Sequence, residues 1–486
     1  MSTVVEFTAP WIVAFQDGEH RLLRNGAVVV ENDTIVHVGK PGEVHSDRTE
    51  PTNNIIAPGF ISLHTHMHES PIDKGIAEDT DKRQFWSTNL IEILPPRSKA
   101  LSVDDMHACT RVSIAEHLRT GSTTVMQMGA ESNYVAQMCE EVGLRAFIGE
   151  SYRSGEWFTP NGRTVDYRWF DDDGRQAFED ALEFALQRRN ASGNALVTGF
   201  LNPSQVDTCS EDLLQRTRTA AEEHDLLIQI HAAQSYSEFH EMTRRHGKTP
   251  IEWLNDIGFL SDRTLIGHGL FLSNTSWTNF YGDDLGLLSR SGTTVVYNPW
   301  VFARNGIIME SYDSYQDRGV NVCLGTDTTT QSMLLSMRWA SIITKVFEHR
   351  ADVGTARDVF NAATVRAADV LRRPDLGRIE TGAKADLVFW NTDSLTMLPD
   401  RDPIRTIVYY AEHSDIERVM VGGRFSLENG SIRSLDEAAD RRTLQQVAER
   451  MWEGWPKHDW SNRSMDEHVP LSYAAFELRD DGGSLR

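Results

Sequence analysis

Only four cysteines, Cys109, Cys139, Cys209 and Cys323, occur in 486 residues, and no two of them form a CxxC pair. That excludes a disulfide framework and a thiolate zinc site, and it fits a reducing cytoplasm. Uncharged apolar runs of about 18 residues, the length needed to cross a bilayer, are missing. The opening MSTVVEFTAPWIVAF lacks a basic n-region and carries Glu6, so no targeting segment is expected either. Positive charge is scarce: 48 Lys and Arg against 71 Asp and Glu leave a formal charge of −23. No Lys/Arg cluster offsets it locally, so phosphate backbones and anionic lipids are repelled. Neither nucleic acid nor a membrane is an expected partner. Lysine is absent altogether between Lys99 and Lys248.

The remainder is an ordinary globular composition, 40% hydrophobic and 24% charged. A single core stops growing near about 250 to 300 residues, so this length calls for one large domain with a substantial second lobe. Residues 1–57 read as short strands broken by turns, such as Val28–Val30 and Ile35–Val38 around the turn at Glu31, Asn32 and Asp33. From residue 58 to 376 the style changes. Eight β-rich runs (60–66, 123–128, 145–150, 195–201, 226–232, 264–269, 293–298 and 320–327) alternate with helical patterns such as VDDMHACTRVSIAEHLRTG, closed by Gly121. This alternation predicts an α/β fold, a (β/α)8 TIM barrel. Over 377–430 short strands return (385–391, 406–410, 418–424), so both chain ends are expected to build one small composite β-sandwich domain. Residues 431–486 read as a helix and a polar segment for packing or oligomer contacts.

The barrel strands end in metal-type ligands. His64 and His66, in APGFISLHTH, stand two apart on a strand and so face the same way, toward the C-terminal rim where barrel enzymes place their chemistry. His231 closes IQIH, His268 closes LIGH, and Asp327 closes LGTD. Three neutral imidazoles and a carboxylate make a borderline-soft site for one divalent metal ion, zinc first, with iron, cobalt or manganese as alternatives.

These motifs resemble those of the amidohydrolase superfamily, in the branch of cytosine-type and nucleoside-derivative deaminases and triazine hydrolases. The resemblance runs from APGFISLHTHMH through IQIHAAQ, LIGHG and LGTDTTTQSMLLSMRWA to AATVRAADVLRRPDLGRIETGAKADLVFWN. It implies one metal held by His64, His66, His231 and Asp327, with Asp327 as the proton acceptor, His268 beside the attacking water, and a homo-oligomer. A second branch bridges two metals through a lysine on the fourth strand, which the lysine-free stretch excludes. Glu150, at the end of strand three, is read as a pocket-wall or helix-capping carboxylate.

The sequence also departs from its relatives. The deaminases of this branch carry a glutamate three residues after the strand-five histidine, where Gln234 stands here. A glutamine orients a substrate but delivers no proton at neutral pH. Pro203-Ser204 replaces the relatives' proline-histidine pair, and Asn298-Pro299 is followed by bulky Trp300 and Phe302. An insert at 154–175 adds Trp157, Phe158, Tyr167, Trp169 and Phe170 above the active face. With Trp86, Trp157 and Trp300 as an apolar mouth, and Gln234, His68 and Asn298 as polar contacts, the expected substrate is a hydrophobic small molecule. The expected reaction is hydrolysis of an amide, urea, carbamate or thiocarbamate, as in phenylurea and thiocarbamate hydrolases. The alternative is an aminohydrolase or chlorohydrolase of an N-heterocycle.

Overall fold

The structure, a computed structural model, describes residues 3–79, 90–189, 195–474 and 476. Eight short parallel strands form a barrel. The first four positions are Phe60–Thr65, Ser122–Gly129, Arg145–Tyr152 and the broken strand Val197–Gly199 with Asn202–Pro203. The second four are Ile228–Ala232, Thr264–His268, Thr294–Tyr297 and Asn321–Leu324. Each set is a continuous sheet, and two parallel bridges, Leu201 with Ile228 and Thr65 with Asp327, join them into a closed ring. The last bridge sets the final carboxylate against the first strand.

Period-two alternation explains why the polar ends converge. Leu227, Gln229 and His231 share one face of strand five; Leu265 and Gly267, Val296 and Asn298, and Cys323, Gly325 and Asp327 repeat the pattern on the next three. The apolar members, with Ile61, Leu63, Met126, Met128, Phe147 and Phe200, form one buried cluster plugged by Ala367, Ala368 and Leu371. The polar members are left at the carboxyl ends. The helix Val103–Arg119 starts on a capping box between Ser102 and Asp105, and Gly121 at φ +84° turns the chain into strand two.

The extra β-rich lobe is one nine-stranded sheet built from both ends of the chain. Val4–Gln16 and Glu19–Glu31 form a long antiparallel pair, and Asn54–Pro58 runs antiparallel to Leu387–Asn391 in the register Asn54 to Asn391 and Pro58 to Leu387. A buried bidentate pair, Arg145 with Asp386 at 3.0 and 3.1 Å, ties barrel strand three to this lobe.

One strand expected from sequence is a helix. TIVYY, 406–410, lies in the helix Pro403–Tyr409 and its C-cap. Asp402 caps it by accepting from the Arg405 N–H, and Pro403 sits at the first helical position, where its missing N–H costs nothing. Those two residues outweigh the β-branched run. The C-terminal helix is present as Glu437–Gly454. All four cysteines are free and buried. Among the described residues, no helix is long and apolar enough to cross a membrane.

Candidate metal centre and its pocket

Four imidazoles and a carboxylate meet at the barrel rim. The ligand atoms of His64, His231 and His268, and those of His64, His66 and Asp327, each lie within 4.8 Å of one another. Asp327 Oδ1 is 3.9 Å from His64 Nε2 and 3.6 Å from His66 Nε2, and its Oδ2 is 3.8 Å from His268 Nδ1. The Nε2 atoms of His66 and His231 approach to 3.2 Å. Glycines make the room. A Cβ on Gly267 would come within 2.9 Å of His64 Cε1, and one on Gly325 within 2.7 Å of His64 Cβ.

Hydrogen bonds at the far nitrogens decide the tautomers. His64 Nδ1–H donates to Gln229 Oε1 at 2.6 Å, and Gln229 Nε2 in turn donates to the Leu63 carbonyl. His66 donates from Nδ1 to the Met128 carbonyl at 2.9 Å, and His231 from Nδ1 to the Ser204 carbonyl at 2.6 Å. All three rings therefore present an Nε2 lone pair inward, and His64 Nε2 is buried with no hydrogen-bond partner. His268 differs: Asn298 Nδ2 approaches its Nδ1 at 2.9 Å, so Nδ1 accepts and Nε2–H is left as a donor. The chain pays for this convergence with strained backbone, since His268 and Asp327 are non-glycine residues at φ +92° and +62°.

Electrostatics keep the rings neutral. Burial, with repulsion from neighbouring imidazoles, pushes His64 and His268 far below the ordinary imidazole value and His66 to about 3, and burial alone takes His231 to about 4. Burial raises Asp327 to about 7 against the opposing charge of Arg304. Neutral imidazoles with aligned lone pairs, an orphaned buried nitrogen and a carboxylate form a donor set that suits one divalent cation. The residues fit the group.

The adjoining pocket is lined on one side by His66, His231, His268 and Asp327 and on the others by Leu90, Ile93, Leu94, Trp157, Gln234, Phe302 and Ile307. Trp157 stands on the first strand of a hairpin, Gly155–Phe158 paired with Asp166–Trp169, and its Nε1 donates to Asp207 Oδ2 at 2.7 Å. Gln234 is buried at the pocket, with its backbone N–H bound to Glu238 and its Nε2 without a partner. Glu150 accepts from the Ser132 N–H and so caps a helix.

Other expected contacts fall elsewhere. Asn298 is not at the pocket surface; it stands behind His268 and orients it. His68 packs beside Gln127 and Glu69 and does not line the pocket, and Trp300 meets Trp339 in a tilted contact while Phe302 meets His268 at 4.6 Å between centroids. Trp300 and Phe302 lie two apart on the helix Pro299–Ala303, so they face different ways. Trp169 and Phe170 are exposed, and Trp86 lies outside the described residues.

Sequence reading missed a second polar cluster in the same pocket. Arg97 is buried between Asp73, at 2.5 Å, and Glu69, which also accepts from Ser98 Oγ at 2.9 Å. Burial alone would raise Glu69, but Arg97, helped by His68 and His66, outweighs it and holds the carboxyl at about 2. Asp73 stays above its usual range because burial exceeds what Arg97 returns to it. LPPRSK offers no local sign that its arginine is buried.

A sequence model described as the Amidohydrolase family matches residues 55–425. The chain is 29% identical over 422 residues to a 5'-deoxyadenosine deaminase of Methanothermobacter thermautotrophicus, covering 85% of this chain and 92% of that one. It is 30% identical over 416 residues to a 5-methylthioadenosine/S-adenosylhomocysteine deaminase of Thermococcus kodakarensis, covering 84% and 91%. An adenosine deaminase from Xanthomonas campestris with bound zinc superposes with a TM-score of 0.79 at 23% identity, over 92% of this chain and 98% of that one. Atrazine chlorohydrolase TrzN from Arthrobacter aurescens, complexed with zinc, gives 0.75 at 20%, over 91% and 100%. These relatives favour the heterocycle alternative over the amide and urea reading expected from sequence.

Proposed function

The chain belongs to the amidohydrolase family, and from that premise we propose that it hydrolyses an exocyclic C–N bond of a small N-heterocycle, releasing an amine or ammonia. The observation that carries the reading is the inward convergence of the Nε2 atoms of His64, His66 and His231, with Asp327 beside His64 and His66, at a pocket with apolar walls. Similarity to deaminases over 84 to 85% of the chain supports the heterocycle class.

His64, His66, His231 and Asp327 would hold one divalent ion, zinc first. Bound there, such an ion would supply Lewis-acid activation of a water nucleophile at neutral pH. Asp327, the carboxylate beside His64 and His66, takes the proton of the attacking water and passes it to the departing amine. His268 donates from Nε2–H to negative charge developing on the substrate, in the tautomer that Asn298 imposes. Gln234 offers its unpartnered Nε2 to a ring nitrogen as a hydrogen-bond donor. Trp157 and Phe302 hold the ring by apolar contact.

Gln234 also favours a second reading. Hydrolysis at an exocyclic carbonyl develops its charge on oxygen and needs no acid at a ring nitrogen, so an amide, urea or carbamate C–N bond, or a thiocarbamate C–S bond, fits this residue. A panel separates the two: 5'-deoxyadenosine and an aminotriazine against an aryl urea, an anilide and a carbamate, with zinc-loaded enzyme. Ammonia from the heterocycles is the expected result, and turnover confined to the acyl compounds replaces the first reading with the second. Gln234→Glu restores an acid and raises kcat/KM for aminated heterocycles relative to ureas by about 10²-fold. A flat ratio removes Gln234 from the chemistry.

A further inference from the structure

The helix Glu437–Gly454 packs on the barrel helix Val103–Arg119 through Arg111–Asp440, Arg119–Glu437 and Arg450–Asp105, and the segment after it continues along the barrel. Trp455 is fully buried with Ile72, Ile76 and Ile93. Farther on, Trp460 Nε1 donates to Glu92 Oε1 at 3.1 Å, and Arg463 NH2 lies 3.4 Å from Glu92 Oε2. Arg463 is itself oriented by Asp459, at 2.6 Å, and its guanidinium lies 5.2 Å from the Trp460 ring centroid. The Glu92 side chain has no solvent exposure.

Glu92 sits in a wide π-type turn over 90–93 that runs into the helix Leu94–Ala100. Such turns are costly and concentrate at functional positions. From this one stretch come four pocket residues, Leu90, Ile93, Leu94 and Arg97. Arg97 continues the chain of contacts to Glu69 and Asp73, beside His66 and His68. The insert after strand three meets the same point, since a Cβ on Gly162 would fall 2.5 Å from Glu92 Oε1 and 2.6 Å from the Trp460 ring.

We propose that the C-terminal segment 455–469 is a clasp on the active site: through Trp460 and Arg463 it fixes Glu92, and with it the 90–100 wall that determines which substrates fit. Glu92, Trp460 and Arg463 are positioning residues, acting through that wall. Trp460 keeps part of its ring exposed, so burial of the ring is not what holds it; its Nε1 and the Arg463 guanidinium are held by a buried carboxylate. Here both of their polar ends terminate on one side chain, and that side chain belongs to the pocket wall. The proposal rests on the hydrolase reading for its kinetic consequence but not for its structural one.

The test uses the full-length zinc-loaded chain with Arg463→Leu, and Trp460→Phe as the milder variant that keeps the ring and loses the donor. Hydrogen exchange is followed by peptide. Exchange over 90–100 rises about ten-fold while 228–232 and the zinc content stay unchanged. For any panel substrate that is turned over, KM rises about ten-fold with kcat within about three-fold. The clasp is overturned if 90–100 exchanges as in the unaltered chain, or if every peptide loosens together with a falling melting temperature. A panel with no turnover defeats the functional reading alone, because the exchange result still decides the clasp.

Discussion

Two buried polar clusters share one pocket and solve the problem of burial in opposite ways. Arg97, Glu69 and Asp73 compensate one another: a single guanidinium neutralises one carboxylate outright and reaches the second. The four imidazoles and Asp327 do not. For His64, His66 and His231 the partners fix the rings from behind and leave the Nε2 atoms facing inward, and the neighbouring imidazoles lower His64 further. A self-neutralising cluster is complete as it stands, whereas a set of converging lone pairs needs a cation to complete it. That contrast is the ground on which we propose the first as a wall and the second as the chemical centre.

The contrast breaks most visibly at Asp327. Asp327→Asn keeps an oxygen near His64 and His66 but removes the proton acceptor, so turnover falls by about 10³-fold or more while zinc content changes little. Full turnover in that variant would return Asp327 to a structural role. At the wall the expected loss is in stability. Arg97→Met leaves two buried carboxylates unpaired and costs about 3 to 5 kcal/mol in denaturant unfolding. Adding Glu69→Gln and Asp73→Leu removes those charges and recovers most of it. If Arg97→Met alone costs nothing, the cluster is hydrated and the wall is not the dry element described.

What could be read beforehand follows the range of the signals. The barrel and the four proposed ligands were legible because period-two alternation and strand-end residues are local: IQIH and LGTD each declare both a strand and what stands at its end. Asn298 carried the same strand-end signal, yet its side chain turns to His268, which depends on a neighbouring strand and not on its own. Trp300, expected at the pocket mouth, turns toward Trp339, because the chain after Asn298 is a helical turn that brings Phe302 to His268 instead. Pro403 after Asp402 was a local helix signal, and it was outvoted by TIVYY. Arg97 had no local signal at all, since its burial is made by Glu69 and Asp73, 24 or more residues earlier, and by a wall the chain's end holds in place.

Acid titration sharpens the comparison further, because the two clusters lose stability over different ranges. In the metal-free protein His66 and His231 are held at about 3 and about 4, below the unfolded value of 6.5. A depressed group stabilises the fold above its unfolded pKa and loses that contribution as pH falls toward the folded one, so this loss begins below pH 6.5. Glu69 is held at about 2 against 4.5 unfolded, so its share, at most about 3 kcal/mol, is kept above pH 4.5 and lost only as pH falls toward 2. Asp327, raised from 3.8 to about 7, gains stability over the same interval and offsets part of the imidazole loss, so unfolding free energy measured from pH 7 downward should decline in two stages of which the first is the shallower for it. Glu69→Gln flattens the second and leaves the first alone, and saturating zinc shifts the first to lower pH by binding only the neutral rings. A single stage that Glu69→Gln does not alter would mean that Arg97 stabilises Asp73 rather than Glu69, reversing which carboxylate the wall is built upon.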